Sequence, residues 1–162
     1  MNRRIGLIVL SLTLGLVAAA CGTADASGPP NINYGRDICV QCGMIISEAR
    51  FAAAYELADG TDKAFDDVGG LLVHARSTGD ALDPATTWVH DFETEEWVAV
   101  GAAYFVPTLS ITSPMGHSIV SFSDQARAAA FATDVGGEVI LWETVVDLPD
   151  TNGLIGDHHD EA

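Results

Sequence analysis

Three sulfur-bearing side chains lie close together in the run Cys39-Val40-Gln41-Cys42-Gly43-Met44, with apolar Ile45-Ile46 behind it. Thiolate and thioether sulfurs are polarizable donors that favour Cu(I), whereas Zn²⁺ is usually met by thiolate and imidazole and rarely by methionine. Gly43 permits a tight backbone turn through which Cys42 and Met44 can face one ion. A second candidate is Met115, in Thr112-Ser113-Pro114-Met115-Gly116-His117, where Pro114 and Gly116 hold a loop methionine away from a core. Apart from the initiator, Met44 and Met115 are the only methionines. Both sit in Gly-flanked turns, whereas a packing methionine belongs to an element interior. His117, two positions after Met115, adds an imidazole to the candidate ligands. His74 and His90 read as structural or exposed, and His158-His159 as part of an irregular tail.

Other chemistries compete for Cys39 and Cys42. A zinc ribbon needs a second Cys or His pair, and no second C-x-x-C exists. A redox pair of the thioredoxin kind opens a helix after a buried strand, and Gly35 to Asp37 has no strand character. A structural Cys39–Cys42 disulfide suits an oxidising compartment. A membrane-tethered thiol–disulfide oxidoreductase is therefore the alternative to metal binding. No G-x-S-x-G elbow and no glycine-rich phosphate loop is present, and Cys42 has no identifiable activating base, so the chain reads as a non-enzyme.

The elements that must position these sulfurs follow one pattern twice. Phe51 to Leu57 is β-prone, Asp59-Gly60 signals a turn, and Lys63 to Phe65 is short and extended. Asp66 and Asp67 cap a helix that places Val68, Leu71, Leu72 and Ala75 on one buried face, and Trp88 to Phe92 reads as a strand. In the second half Ala102 to Thr108 is extended and Ser118 to Phe122 is a strand. Ser123 and Asp124 then open a helix with Ala126, Ala129 and Ala130 on one side, Gly136-Gly137 stops it, and Glu138 to Val146 is expected to be a closing strand. The expected fold is α+β: two similar ββαβ units, about 51–92 and 102–146, each a small antiparallel sheet with one helix, sharing one core as a single domain over 35–148.

The N-terminus sets the compartment. Arg3 and Arg4, apolar Ile5 to Val17 and small Ala18 to Ala20 make residues 1–20 a signal peptide. Cleavage before Cys21 is the arrangement of bacterial lipoproteins, so Cys21 is expected to carry lipid and hold the domain outside the cytoplasm, although Ala18 stands where that cleavage box usually has Leu. Residues 21–34 read as a flexible tether and 149–162 as an acidic tail. With 23 acidic against 7 basic residues and a formal net charge of −16, nucleic acid is excluded as a partner because its phosphates would be repelled.

The motifs Cys42-Gly43-Met44, Phe65-Asp66-Asp67-Val68-Gly69, Trp88-Val89-His90-Asp91-Phe92, Trp97 with Ala102-Ala103-Tyr104, Pro114-Met115-Gly116, and Phe122 through Gly136-Gly137 occur in one order. Together they make the chain resemble the NosL lipoproteins, accessory proteins of nitrous oxide reductase, over Cys39 to Val146. The resemblance implies two ββαβ units and a periplasmic or cell-surface Cu(I) chaperone supplying the reductase's copper–sulfide centre, or another copper enzyme and its assembly factors. It also implies ligand roles for Cys42, Met44 and Met115, with imidazole as a further ligand. Cys39, which varies within that family, is left as a third sulfur ligand, a disulfide partner or neither.

Overall fold

The computed structural model describes residues 28–148. The expected signal peptide, Cys21, the first part of the expected tether and residues 149–162 with His158-His159 lie outside the described residues. Among the described residues no helix is long and apolar enough to cross a membrane.

The first unit is built on strands β1 (Ala53–Glu56), β2 (Asp62–Phe65), β3 (Thr87–His90) and β4 (Trp97–Ala99), in the antiparallel order β2-β1-β3-β4. Helix α1 (Val68–Thr78) follows β2 directly. Its four expected face residues, Val68, Leu71, Leu72 and Ala75, are all buried, because the i, i+3, i+4, i+7 spacing aligns them over the sheet. Asp67 is the N-cap, accepting from the Gly70 amide, and Gly79 closes the helix in the left-handed conformation.

The second unit pairs β5 (Tyr104–Pro107) with β6 (Ile119–Phe122) and adds α2 (Gln125–Val135), capped by Asp124. The expected closing strand over 138–146 is not formed. Its sheet pairing is confined to one bridge, Phe105–Ile140, and the chain then turns into α3 (Trp142–Val145). That turn seats Trp142 and Val145 in the same core as Phe105, so the apolar residues are buried as expected, by a helical turn instead of a strand. The three alanines expected on one side of α2 do share a side, and it is the outward one. Ala126, Ala129 and Ala130 are exposed, while Ala128 and Ala132 are buried beside half-buried Phe131, since the large ring gains more from burial than the methyl groups do.

Residues 32–34, expected to be tether, belong to the fold. Ile32 lies in the core, Asn33 binds the Asp37 carboxylate through its amide at 2.8 Å, and the Tyr34 hydroxyl shares a 2.6 Å hydrogen bond with His90 Nε2. Asp91 joins the halves. Wholly buried at the end of β3, it accepts from the Ser123 amide at 2.7 Å and from both terminal nitrogens of Arg127 on α2. The α+β class with antiparallel sheets therefore stands, with the second unit departing from the first only after its helix.

Candidate metal centre

The segment bearing the cysteines is a hairpin laid against the edge strand β2. Ile38 and Ile45 bridge, the Cys39 amide donates to the Met44 carbonyl at 2.8 Å, and the Val40 amide reaches Ala64 of β2 at 3.0 Å. Gly43 takes a φ of 74°, a left-handed conformation that a side chain disfavours, and this lets its amide reach back to the Cys39 carbonyl at 3.0 Å. The turn thereby points the two thiols to the end of β2, where Asp66 and Asp67 begin α1. A brace comes from the helix: His74 Nδ1 lies 3.2 Å from Gln41 Oε1 in the middle of the turn, and burial lowers the His74 pKa.

Cys39, Cys42 and Asp66 bring one ligand atom each within 4.8 Å of one another. From the loop between β5 and β6, 76 residues further on, Met115 places Sδ 3.9 Å from Cys39 Sγ. Both cysteines are free thiols, Cys39 buried in the core and Cys42 exposed. Cys42 Sγ lies 3.9 Å from Asp66 Oδ2. Burial, opposed by the Met44 amide and reinforced by Cys39 and Asp66, pushes the Cys42 thiol up to about 11. Burial and the neighbouring Asp67 charge push Asp66 up to about 6. Asp66 is only 2% exposed, and its Oδ1 is a buried oxygen without a hydrogen-bond partner. Such an oxygen costs free energy unless something meets it, which suits a carboxylate that faces a bound cation.

The loop carrying Met115 is fastened to Asp67. Its Oδ2 accepts from the Ser113 hydroxyl at 2.6 Å and from the Met115 amide at 3.3 Å, while its Oδ1 accepts from the Gly70 amide at 2.7 Å and from His117 Nδ1 at 2.8 Å. Burial raises the Asp67 carboxyl, but the hydrogen bonds from His117, Ser113 and Gly70 outweigh it and hold the group below the usual carboxylate range. Because a carboxylate only accepts, Nδ1 of His117 is the donor in this bond.

Of the residues singled out in the sequence, Cys39, Cys42 and Met115 therefore converge. Met44 is 47% exposed and contributes its backbone to the hairpin. His117 is buried and bound to Asp67, and it stands outside the group formed by the two cysteines and Asp66. Asp66 and Asp67 were legible only as helix caps. The available signal was their pairing, since one residue suffices to cap a helix and the second is surplus.

The NosL family model matches residues 32–147. The copper-binding lipoprotein NosL of Stutzerimonas stutzeri is 28% identical over 148 residues, covering 85% of this chain and 78% of that protein. The crystal structure of the copper chaperone NosL from Shewanella denitrificans aligns with a TM-score of 0.55 at 25% identity, covering 70% of this chain and 92% of that one. The family match begins at Ile32, which lies in the core, and ends just beyond Val145, so it takes in both sheets, all three helices and every residue of the sulfur cluster. The chain belongs to the NosL family.

Proposed function

We propose that this protein binds Cu(I) through Cys39, Cys42 and Met115 and delivers it, outside the cytoplasm, to a copper enzyme. The observation that carries this reading is the 3.9 Å approach of Met115 Sδ to Cys39 Sγ across two loops far apart in sequence, with Cys42 and Asp66 completing the cluster. Two thiols and a thioether form a soft donor set suited to Cu(I). The names of the two relatives, a copper-binding lipoprotein and a copper chaperone, support the same cargo. In this reading Cys21 is acylated after removal of residues 1–20 and ties the domain to the membrane, and the client is nitrous oxide reductase with its copper–sulfide centre.

The geometry suits a carrier. Cu(I) displaces the thiol protons to solvent as the copper–sulfur bonds form, so the metal supplies the drive that a thiol of raised pKa lacks. Asp66 adds negative charge beside the cation. Cys42 is exposed, so a ligand from a client can approach the ion from solvent while buried Cys39 still holds it. Release then proceeds by replacing one sulfur at a time, and His117 with Asp67 keeps the Met115 loop in place.

The close pair of one buried and one exposed thiol also resembles a redox couple. The raised pKa of Cys42 weighs against it, because the thiolate is the attacking species and a reactive cysteine has its pKa lowered. Anaerobic titration of the reduced protein with Cu(I) against a competing chelator tests the proposal. One-to-one binding weakened by both Cys42→Ser and Met115→Leu is expected, and failure of the reduced wild-type protein to compete for Cu(I) would refute it.

A further inference from the structure

The first turn of α1 contains two adjacent glycines, Gly69 and Gly70, in an element where glycine is the least favourable residue after proline. Neither adopts a left-handed backbone, so conformational freedom does not explain them. Space does. A Cβ on Gly69 would collide with Cβ and Cγ of His117, and one on Gly70 would stand 2.5 Å from Met115 Sδ and 3.3 Å from its Cε. The helix surface is bare where the 113–117 loop lies across it. Two residues before this pair, Asp67 binds the same loop through Ser113, the Met115 amide and His117. The loop is thus gripped by a carboxylate through two side chains and one amide, and the thioether rests on the side-chain-free backbone of buried Gly70.

We propose that Gly70 and Asp67 are positioning residues that aim the Met115 thioether at Cys39 and Cys42. The proposal rests on the reading of Met115 as a ligand. A methionine side chain has three rotatable bonds and adapts to irregular space, so an unsupported thioether would be spread over several rotamers. Seated against Gly70, its sulfur is already beside Cys39 before the cargo arrives, and less freedom is lost on binding. A methyl group at position 70 would collide with the far end of the flexible Met115 chain and stand 3.3 Å from Asp67 Oδ1, a contact relieved by a shift of a few tenths of an ångström, and alanine is a better helix former than glycine, so the fold stays intact. The sulfur, however, could no longer occupy its present place.

Gly70→Ala and Met115→Leu, alone and combined, separate these effects when thermal unfolding, Cu(I) competition and NMR of methionine labelled with ¹³C at the methyl group are measured together. Gly70→Ala is expected to melt at or above the wild-type temperature, to bind Cu(I) about 10–100-fold more weakly, and to lose the shift of the Met115 methyl signal on Cu(I) addition. It should add nothing in the Met115→Leu background. Asp67→Asn gives a second perturbation, expected to weaken binding in the wild-type background and not in Met115→Leu. If Met115→Leu weakens binding while Gly70→Ala binds and shifts like wild type, the positioning role is overturned and the ligand reading stands. If Met115→Leu binds like wild type, the ligand reading itself fails and the positioning role with it.

Discussion

Cys39 and Cys42 are chemically identical and environmentally opposite. Cys39 is 1% exposed and packs with the core, whereas Cys42 faces solvent. Maleimide labelling of the reduced, folded protein should therefore modify Cys42 first, with Cys39 reacting only on unfolding. Equal rates would show that the hairpin does not hold its observed form. The sulfur residues were legible because cysteine and methionine are rare in this chain and stand in turns. Their surroundings were not. The Asp67–His117 pair spans 50 residues and the Cys39–Met115 pair spans 76, separations that no local pattern encodes. His117, a candidate further ligand in the sequence, is buried and bonded to Asp67 in the structure, since a folded β5–β6 connection can bury a polar ring once a carboxylate meets it.

At the level of elements, the site depends on two connections: the cysteine hairpin at the edge of β2 and the 113–117 loop on the first turn of α1. Gly43 lets the hairpin close, and nothing lies within 4 Å of where its Cβ would be, so Gly43→Ala meets backbone strain and no steric clash. It should cost about 1 kcal/mol of stability, read as a lowered denaturation midpoint, and should weaken Cu(I) binding by loosening the turn. A midpoint equal to wild type would remove the left-handed turn as a requirement. Helix α1 was legible because its large aliphatic residues repeat with helical period. The face of α2 was not, because alanines carry little directional signal and Phe131 decides which side turns inward. The segment 138–146 looked like a strand through its Val, Ile and Trp content. That composition reports burial, and one helical turn buries Trp142 and Val145 as well as a strand would.

Across the whole molecule, Asp91 links the four-stranded sheet to the second unit. Burial alone would raise its carboxyl, but the Arg127 guanidinium and the amides of Ser123 and Thr94 outweigh burial and hold it well below the usual carboxylate range. Its pKa is lower folded than unfolded, so its stabilisation is complete above about pH 4 and is lost progressively as the pH falls below that value. Asp91→Asn should destabilise the protein by about 3 kcal/mol, in the range for breaking a buried pair, and should flatten the acid limb of the stability curve. An unchanged acid limb would assign the link to other contacts. The repeat was visible in the sequence because each half passes from Phe through Asp into a helix. The joint between the halves was not, since Asp91 and Arg127 belong to different repeats and lie 36 residues apart.

The sulfur cluster is the central claim, and copper K-edge X-ray absorption of the Cu(I)-loaded protein tests it most directly. The expected spectrum is that of low-coordinate Cu(I) with a shell dominated by sulfur, and Met115→Leu should lose one sulfur from that shell. A shell of nitrogen and oxygen donors, or a sulfur shell unchanged by Met115→Leu, would contradict a site shared between the cysteine hairpin and the Met115 loop.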